Sequence, residues 1–324
     1  MKELADPRKV FGNQVLELAK QDPRILAVST DSSGSSGFGP FKEYFPERHL
    51  EFGLTEQSAI GFCAGLALSG KIPFFCAITP FITMRCFEQV RDDLAYTFTN
   101  VKIVGRNSGL DYSYLGYTHQ SLEDIAVMRS LPNMIVLVPS DAIEIRACVK
   151  EAAKYIGPVY IRIGSEKLPT FHPSDYHFSF GKGEILQKGQ DITLITMGGM
   201  VWRALEAAKE LIKLGIKVGL VNMPTIKPLD CELLLQVSKE TDIILTIEDH
   251  SIVGGLGSAV SEFLSQENPT RIFRLGVPDV ISSTGPYEEI MAKYNLSIKN
   301  IVNSVINLIK KKKFSCENQC KEGI

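Results

Sequence analysis

No apolar run in this chain reaches the ~18 residues that a membrane-spanning helix requires. The opening MKELADPRKV also lacks the apolar core of a signal peptide. The first absence argues against a membrane partner, and the second points to a cytoplasmic location. Charge of neither sign is in excess. The formal net charge is −2, so neither nucleic acid nor an anionic membrane is an expected partner. Clustered metal ligands are missing as well. The seven cysteines are scattered, and four of the first five lie in apolar segments, where a reduced thiol behaves as a small hydrophobe. Cys316 and Cys320 sit four apart in a polar tail with no further ligand nearby, so no zinc site is expected there.

What is present is alternation. The 324 residues suffice for two domains, each with its own core. KVFGNQVLELAKQ reads as a helix and ILAVST as a buried strand. EQSAIGFCAGLAL is a helix, IPFFCAI a strand, TMRCFEQVRDDLAY a helix and VKIVG a strand. SLEDIAVMRSL, MIVLVP, AIEIRACVKEAAKY and VYIRI continue the pattern. The expected fold class is α/β with two doubly wound domains. The first, residues 1–165, carries a mainly parallel sheet with helices on both faces. Residues 166–190 form a linker whose Phe171, Tyr176, Phe178 and Phe180 predict that it packs. The alternation resumes over residues 191–312 as a smaller α/β domain, and residues 313–324 read as a flexible tail.

Ligands of open parallel sheets bind beyond the carboxyl ends of the strands. Three polar stretches fall there: TDSSGSSGFGP, GLTEQ and the long RNSGLDYSYLGYTHQ. Glu56 stands out. Thr55 as cap and an acid in the first turn are ordinary helix chemistry, worth ~0.3–1 kcal/mol. The helix behind it is apolar on most sides, however, which predicts burial of its top. An ionised carboxylate there is costly, so the group would tend to hold a proton or share one with a partner base. Gly61 and Gly65, four apart on one face, weaken the helix and suit close approach of another backbone.

These motifs recur in order. Glu56-Gln57 opens the apolar helix, Phe81 lies in ITPFITMRCFEQVR, and Gly116-Tyr117-Thr118-His119-Gln120 precedes Leu122-Glu123-Asp124. SLPNMIVLVPSDAIE, GPVYIRIG, MPTIKPLD and IEDHSIVGGLGSAV follow. From about Lys9 to Lys310 the chain resembles the carboxyl-terminal half of a transketolase-type thiamine diphosphate enzyme: a pyrimidine-binding domain plus a terminal domain. The resemblance implies that Glu56 bonds a ring nitrogen of the cofactor aminopyrimidine and favours its imino form, a task for a carboxyl group of raised proton affinity. It implies that Phe81 stacks on that ring and that His119 faces the substrate. It places Asp31, Ile78 and Arg85 with the cofactor and Ser35 with the substrate. The Gly-Asp-Gly…Asn motif that holds diphosphate and Mg²⁺ is absent from this sequence. The resemblance therefore implies a separate amino-terminal subunit that holds Mg²⁺, an α2β2 assembly with a self-dimer contact, and the Gly61/Gly65 helix at an interface.

Three departures bear on substrate. Where sugar-phosphate transketolases place Arg, His and Asp, this sequence has Ser165, Asn107 and Leu115. Losing charge-assisted contacts worth ~1.5–3 kcal/mol each argues for a substrate other than an ordinary sugar phosphate, one less charged and more apolar, with repositioning of Arg106 or Arg162 onto a phosphate as the alternative. The β subunit of a 2-oxoacid or acetoin dehydrogenase shares this architecture and is an alternative reading. A non-catalytic regulatory paralogue is another, disfavoured by the joint presence of Glu56, Phe81 and His119.

Overall fold

The computed structural model describes residues 4–321, with side chains through residue 311. Strands β1 (Leu4–Ala5), β2 (Ile25–Ser29), β3 (His49–Glu51), β4 (Ile72–Ile78), β5 (Lys102–Arg106), β6 (Ile135–Leu137) and β7 (Val159–Arg162) belong to the first half. Its helices are α1 (Pro7–Gln21), α2 (Gly39–Tyr44), α3 (Glu56–Leu68), α4 (Thr79–Ile82), α5 (Phe87–Gln89), α6 (Asp124–Ser130) and α7 (Ala142–Lys154). The second half adds β8 (Leu168–Pro169), β9 (Glu184–Gln187), β10 (Ile192–Thr196), β11 (Val218–Asn222), β12 (Thr225–Lys227), β13 (Ile244–Ser251) and β14 (Ile272–Val277). Helices α8 (Met200–Lys213), α9 (Cys231–Glu240), α10 (Leu256–Glu267), α11 (Tyr287–Lys293) and α12 (Ile298–Lys321) complete it.

The first sheet has the order β12-β6-β7-β5-β4-β2-β3, and every pairing in it is parallel except that of β12. Residues of β2, β5, β6 and β7 are buried along their whole length. That is why β2 and β6 read as nearly unbroken apolar runs rather than alternating ones. Register aligns Ser29 with Cys76 and Ile78 with Arg106, so the strands end together and their following loops share one edge. The second sheet runs β14-β13-β10-β11-β9, with β9 antiparallel to β11. One apolar cluster crosses from Ile60, Phe75 and Met128 to Val221, Val260 and Leu264, and so fuses the two halves.

Several expectations are corrected. Glu184–Gln187, counted with the linker, is the edge strand of the second sheet, and Thr225–Lys227 pairs with β6 in the first. TMRCFEQVRDDLAY is not one helix. Its first four residues, Thr83–Cys86, form a turn, Phe87–Gln89 is α-helical, and Val90–Tyr96 is wound as a π-helix. The tail does not begin at residue 313, because α12 continues through Lys321, and no Pro or Gly stops it before Gly323. The side chains of Cys316 and Cys320 lie outside the described residues. Thr55 donates its hydroxyl to the Phe52 carbonyl and makes no side-chain cap on α3. Nor is α3 enclosed within the chain, since Gln57, Gly61, Phe62, Gly65 and Leu68 are exposed.

Candidate active site

Glu56 begins α3 and is only 3% exposed. Its Oε2 accepts from Arg85 Nη1 at 2.9 Å, and Oε1 has no partner among the described residues. The partner in this chain is thus a guanidinium, not the base expected from the sequence. Arg85, on the turn after α4, is itself 45% exposed and lies 4.0 Å from the Phe81 ring centre. Phe81 meets the His119 ring edge-on at 5.3 Å, and His119 meets Tyr112 at 5.9 Å. Tyr112 Oη accepts from Arg106 Nη1 at 3.1 Å, and the same nitrogen donates to Asn107 Oδ1 at 2.8 Å. Arg106 Nε donates to Ser36 Oγ at 3.3 Å. A continuous ribbon therefore runs from Glu56 to the β2 loop across the carboxyl edge of the first sheet.

The other expected residues line the same edge without joining that ribbon. Ile78 ends β4 opposite Arg106. Asp31 follows β2 with φ +50, and its amide donates to Glu51 Oε1. Ser35 is exposed and donates to the Ser32 carbonyl. Leu115 is 53% exposed at the tip of the loop after β5, between exposed Tyr114 and Tyr117. Ser165 follows β7, and its amide donates to the buried Asp111 carboxylate. Sequence reasoning missed Tyr112 and Ser36. The one available signal for Tyr112 is its place in an aromatic-rich loop at a strand end.

The loop carrying His119 has almost no regular structure, and the second domain holds it. Gln120 Nε2 donates to the Ser283 carbonyl, and Ser282 Oγ donates to Gln120 Oε1. Gly285 N donates to the Ser113 carbonyl, and Ser251 N to that of Leu122. Gly109, at φ +62, packs so closely on Asp249 that a Cβ would lie 2.1 Å from its carboxylate oxygen. Glycine is required there for both conformation and space.

The second domain's own strand-end crevice is partly filled by protein. Glu248 accepts from the amides of Leu256 and Gly257 at 2.7 and 2.9 Å, and so occupies the anion position at the start of α10. The Gly254–Ser258 stretch thereby leads into the start of α10. Arg162 donates to Asp124 Oδ2 and Asp249 Oδ1, both at 2.9 Å, while Tyr160 donates to Asp124 at 2.6 Å. A cavity of about 310 Å³ remains between the halves, bordered by Asp111, Asp249, Arg162 and Arg203. Burial, reinforced by Asp249, raises the Asp111 carboxyl to about 7.

Among known families, the transketolase pyrimidine binding domain matches residues 4–170, and the transketolase C-terminal domain matches residues 181–301. The chain is 42% identical over 305 residues to one of the subunits of the apulose-4-phosphate transketolase of Phocaeicola vulgatus, covering 94% of this chain and 97% of that protein. It is 36% identical to the 6-deoxy-6-sulfo-D-fructose transketolase subunit SqwH of a Clostridium species, covering 95% of each. A solved split gene transketolase, an inactive beta4 tetramer, superposes with a TM-score of 0.88 at 39% identity, covering 94% of this chain and 98% of that one.

Proposed function

This chain belongs to the transketolase family, and on that premise we propose that it is the carboxyl-terminal subunit of a two-component transketolase-like enzyme, moving a two-carbon ketol unit with thiamine diphosphate. One observation carries the reading. A buried carboxylate with an unpartnered oxygen stands beside an aromatic ring that a half-exposed arginine side chain overlies. The pair fits an aminopyrimidine, which needs an acceptor for a ring proton and a flat apolar face. When bound, that cofactor supplies a carbanion-forming carbon that takes up the ketol unit. Glu56 holds or accepts a proton at Oε1, which points to general acid–base work. For a ring to stack on Phe81, Arg85 must leave its face. His119, between Phe81 and Tyr112, is placed to meet the substrate's polar groups.

Mg²⁺ and the diphosphate are assigned to a separate subunit, because this sequence lacks the motif that would hold them. The exposed face of α3, with open space around Gly65, is the proposed contact within an α2β2 assembly. Two relatives support the split arrangement by being subunits themselves, and the related beta4 tetramer is described as inactive. The substrate is proposed to lie outside the ordinary pentose and hexose phosphates, as do the apulose and sulfofructose substrates in the relatives' names.

The test is co-purification with a candidate amino-terminal half, followed by titration with thiamine diphosphate and Mg²⁺. Cofactor binding by the pair and by neither chain alone is the expected result. A chain that assembles with nothing and binds nothing would leave a regulatory role instead.

A further inference from the structure

The arginines near the carboxyl edge of the first sheet differ in one respect. Arg8 is paired with Asp6, Arg85 with Glu56, and Arg162 with both Asp124 and Asp249. Arg106 is 2% exposed, and no carboxylate lies within 4.0 Å of its guanidinium among the described residues. Its partners are a serine hydroxyl, an asparagine carbonyl and a tyrosine hydroxyl, all neutral, and its Nη2 has no hydrogen-bond partner among the described residues. Buried charges are ordinarily paired, because an unpaired one forfeits its hydration without return. Arginine's planar fork is suited to two oxygens of one oxyanion. The position is equally specific. Arg106 lies behind Tyr112, whose ring packs on His119, and against Ser36, next to Ser35.

We infer that Arg106 is the anion-recognition residue of this site and takes the terminal oxyanion of the substrate, a phosphate or a sulfonate, in place of the Tyr112 hydroxyl. The inference rests on the catalytic reading above and deepens it. It also reverses the charge expectation drawn from positions 107, 115 and 165. The cation absent at those positions is supplied by the last residue of β5, immediately before Asn107, reaching the site from the α1 side of the sheet. The substrate is therefore unusual in its carbon skeleton but still carries an anionic end.

The test measures thermal stabilisation of the full chain, alone and assembled with its partner subunit, by inorganic phosphate and by methanesulfonate. The wild type is expected to bind at least one of them, and the tighter of the two names the substrate's end group. Arg106→Gln is expected to weaken that binding about ten- to hundredfold, with Arg106→Lys recovering part of it. Equal binding by wild type and Arg106→Gln, or no binding of either anion by the wild type, would overturn the inference. Should Arg106→Gln fail to fold, Tyr112→Phe decides. It keeps the charge and removes the hydroxyl that covers it, so it should bind the anion more tightly, and unchanged affinity would count against the proposal. Because these readouts need no turnover, a pair that binds anion but not thiamine diphosphate would sink the catalytic reading alone.

Discussion

The two domains solve the same topological problem in opposite ways. Each is an open, mostly parallel sheet, and each ends its central strands at a crevice where a ligand would bind. In the first domain that crevice keeps polar groups short of partners: one oxygen of Glu56 and the uncompensated Arg106, with Arg85 lying over the Phe81 ring beside them. In the second, Glu248 caps α10 and Asp249 holds Arg162. The residues at the second crevice grip the first domain and its loop rather than a ligand. A strand-end crevice thus marks where a sheet can offer chemistry. At the second crevice the central cation is matched by carboxylates, Arg162 by Asp124 and Asp249, whereas Arg106 at the first has only neutral partners.

Substitutions on either side of this divide should behave differently. Glu56→Ala, in the open crevice, is expected to lower turnover of the assembled enzyme by about 10²–10⁴-fold while leaving the unfolding transition in place. Turnover within threefold of wild type would remove Glu56 from the chemistry. Arg162→Met, in the closed joint, should act on folding, because it leaves Asp124 and Asp249 buried without their cation. A loss of about 3 kcal/mol in urea unfolding is expected, and an unchanged midpoint would show that the joint is not electrostatic. His172 bridges the domains between Asp141 (3.1 Å) and Glu184 (2.9 Å). Burial alone would lower its pKa, but its bonds to Asp141 and Glu184 more than reverse this and raise it to about 10. A group raised in the folded state gives its full stabilisation below the unfolded value near 6.5 and loses it as pH rises through about 10. Urea midpoints of wild type and His172→Gln should differ most at pH 6 and converge toward pH 10, and a constant gap would contradict this. The smallest effect is Gly65→Ala. A methyl there meets nothing within 4 Å in its own chain, so the isolated chain should gain about 1 kcal/mol from helix propensity. Assembly should weaken instead, read as a shift in sedimentation, and unaltered assembly would move the interface elsewhere.

Legibility in the sequence follows locality. The parallel strands are readable because burial on both faces imposes unbroken apolar runs, as in IPFFCAI. Glu56 is readable because a charge heading an apolar helix is a local anomaly. Phe81 and His119 are visible only through family resemblance, as neither stands out in its own segment. Strand β12 is not legible, since three residues of TIK carry no period and its partner β6 lies some ninety positions away. The contacts of Arg106 are equally hidden. They depend on a loop that doubles back to bring Tyr112 over a strand end, and long-range folding of that kind leaves no spacing to read. The pairing of Glu56 with Arg85 escapes notice because the turn between α4 and α5 reads as continuous helix.

The strand Thr225–Lys227 has a practical corollary for anyone dividing this protein. It is loaned by the second domain to the rim of the first sheet, where it covers the amides and carbonyls of β6. Cutting the chain in the linker would strip that guard and bare a parallel edge to other chains, the usual beginning of aggregation. The same cut would expose the apolar cluster that crosses between the halves. The smallest autonomous folding unit is therefore the pair of domains together. Recombination or domain transplantation should succeed when both move as one cassette and yield insoluble protein when either is exchanged alone.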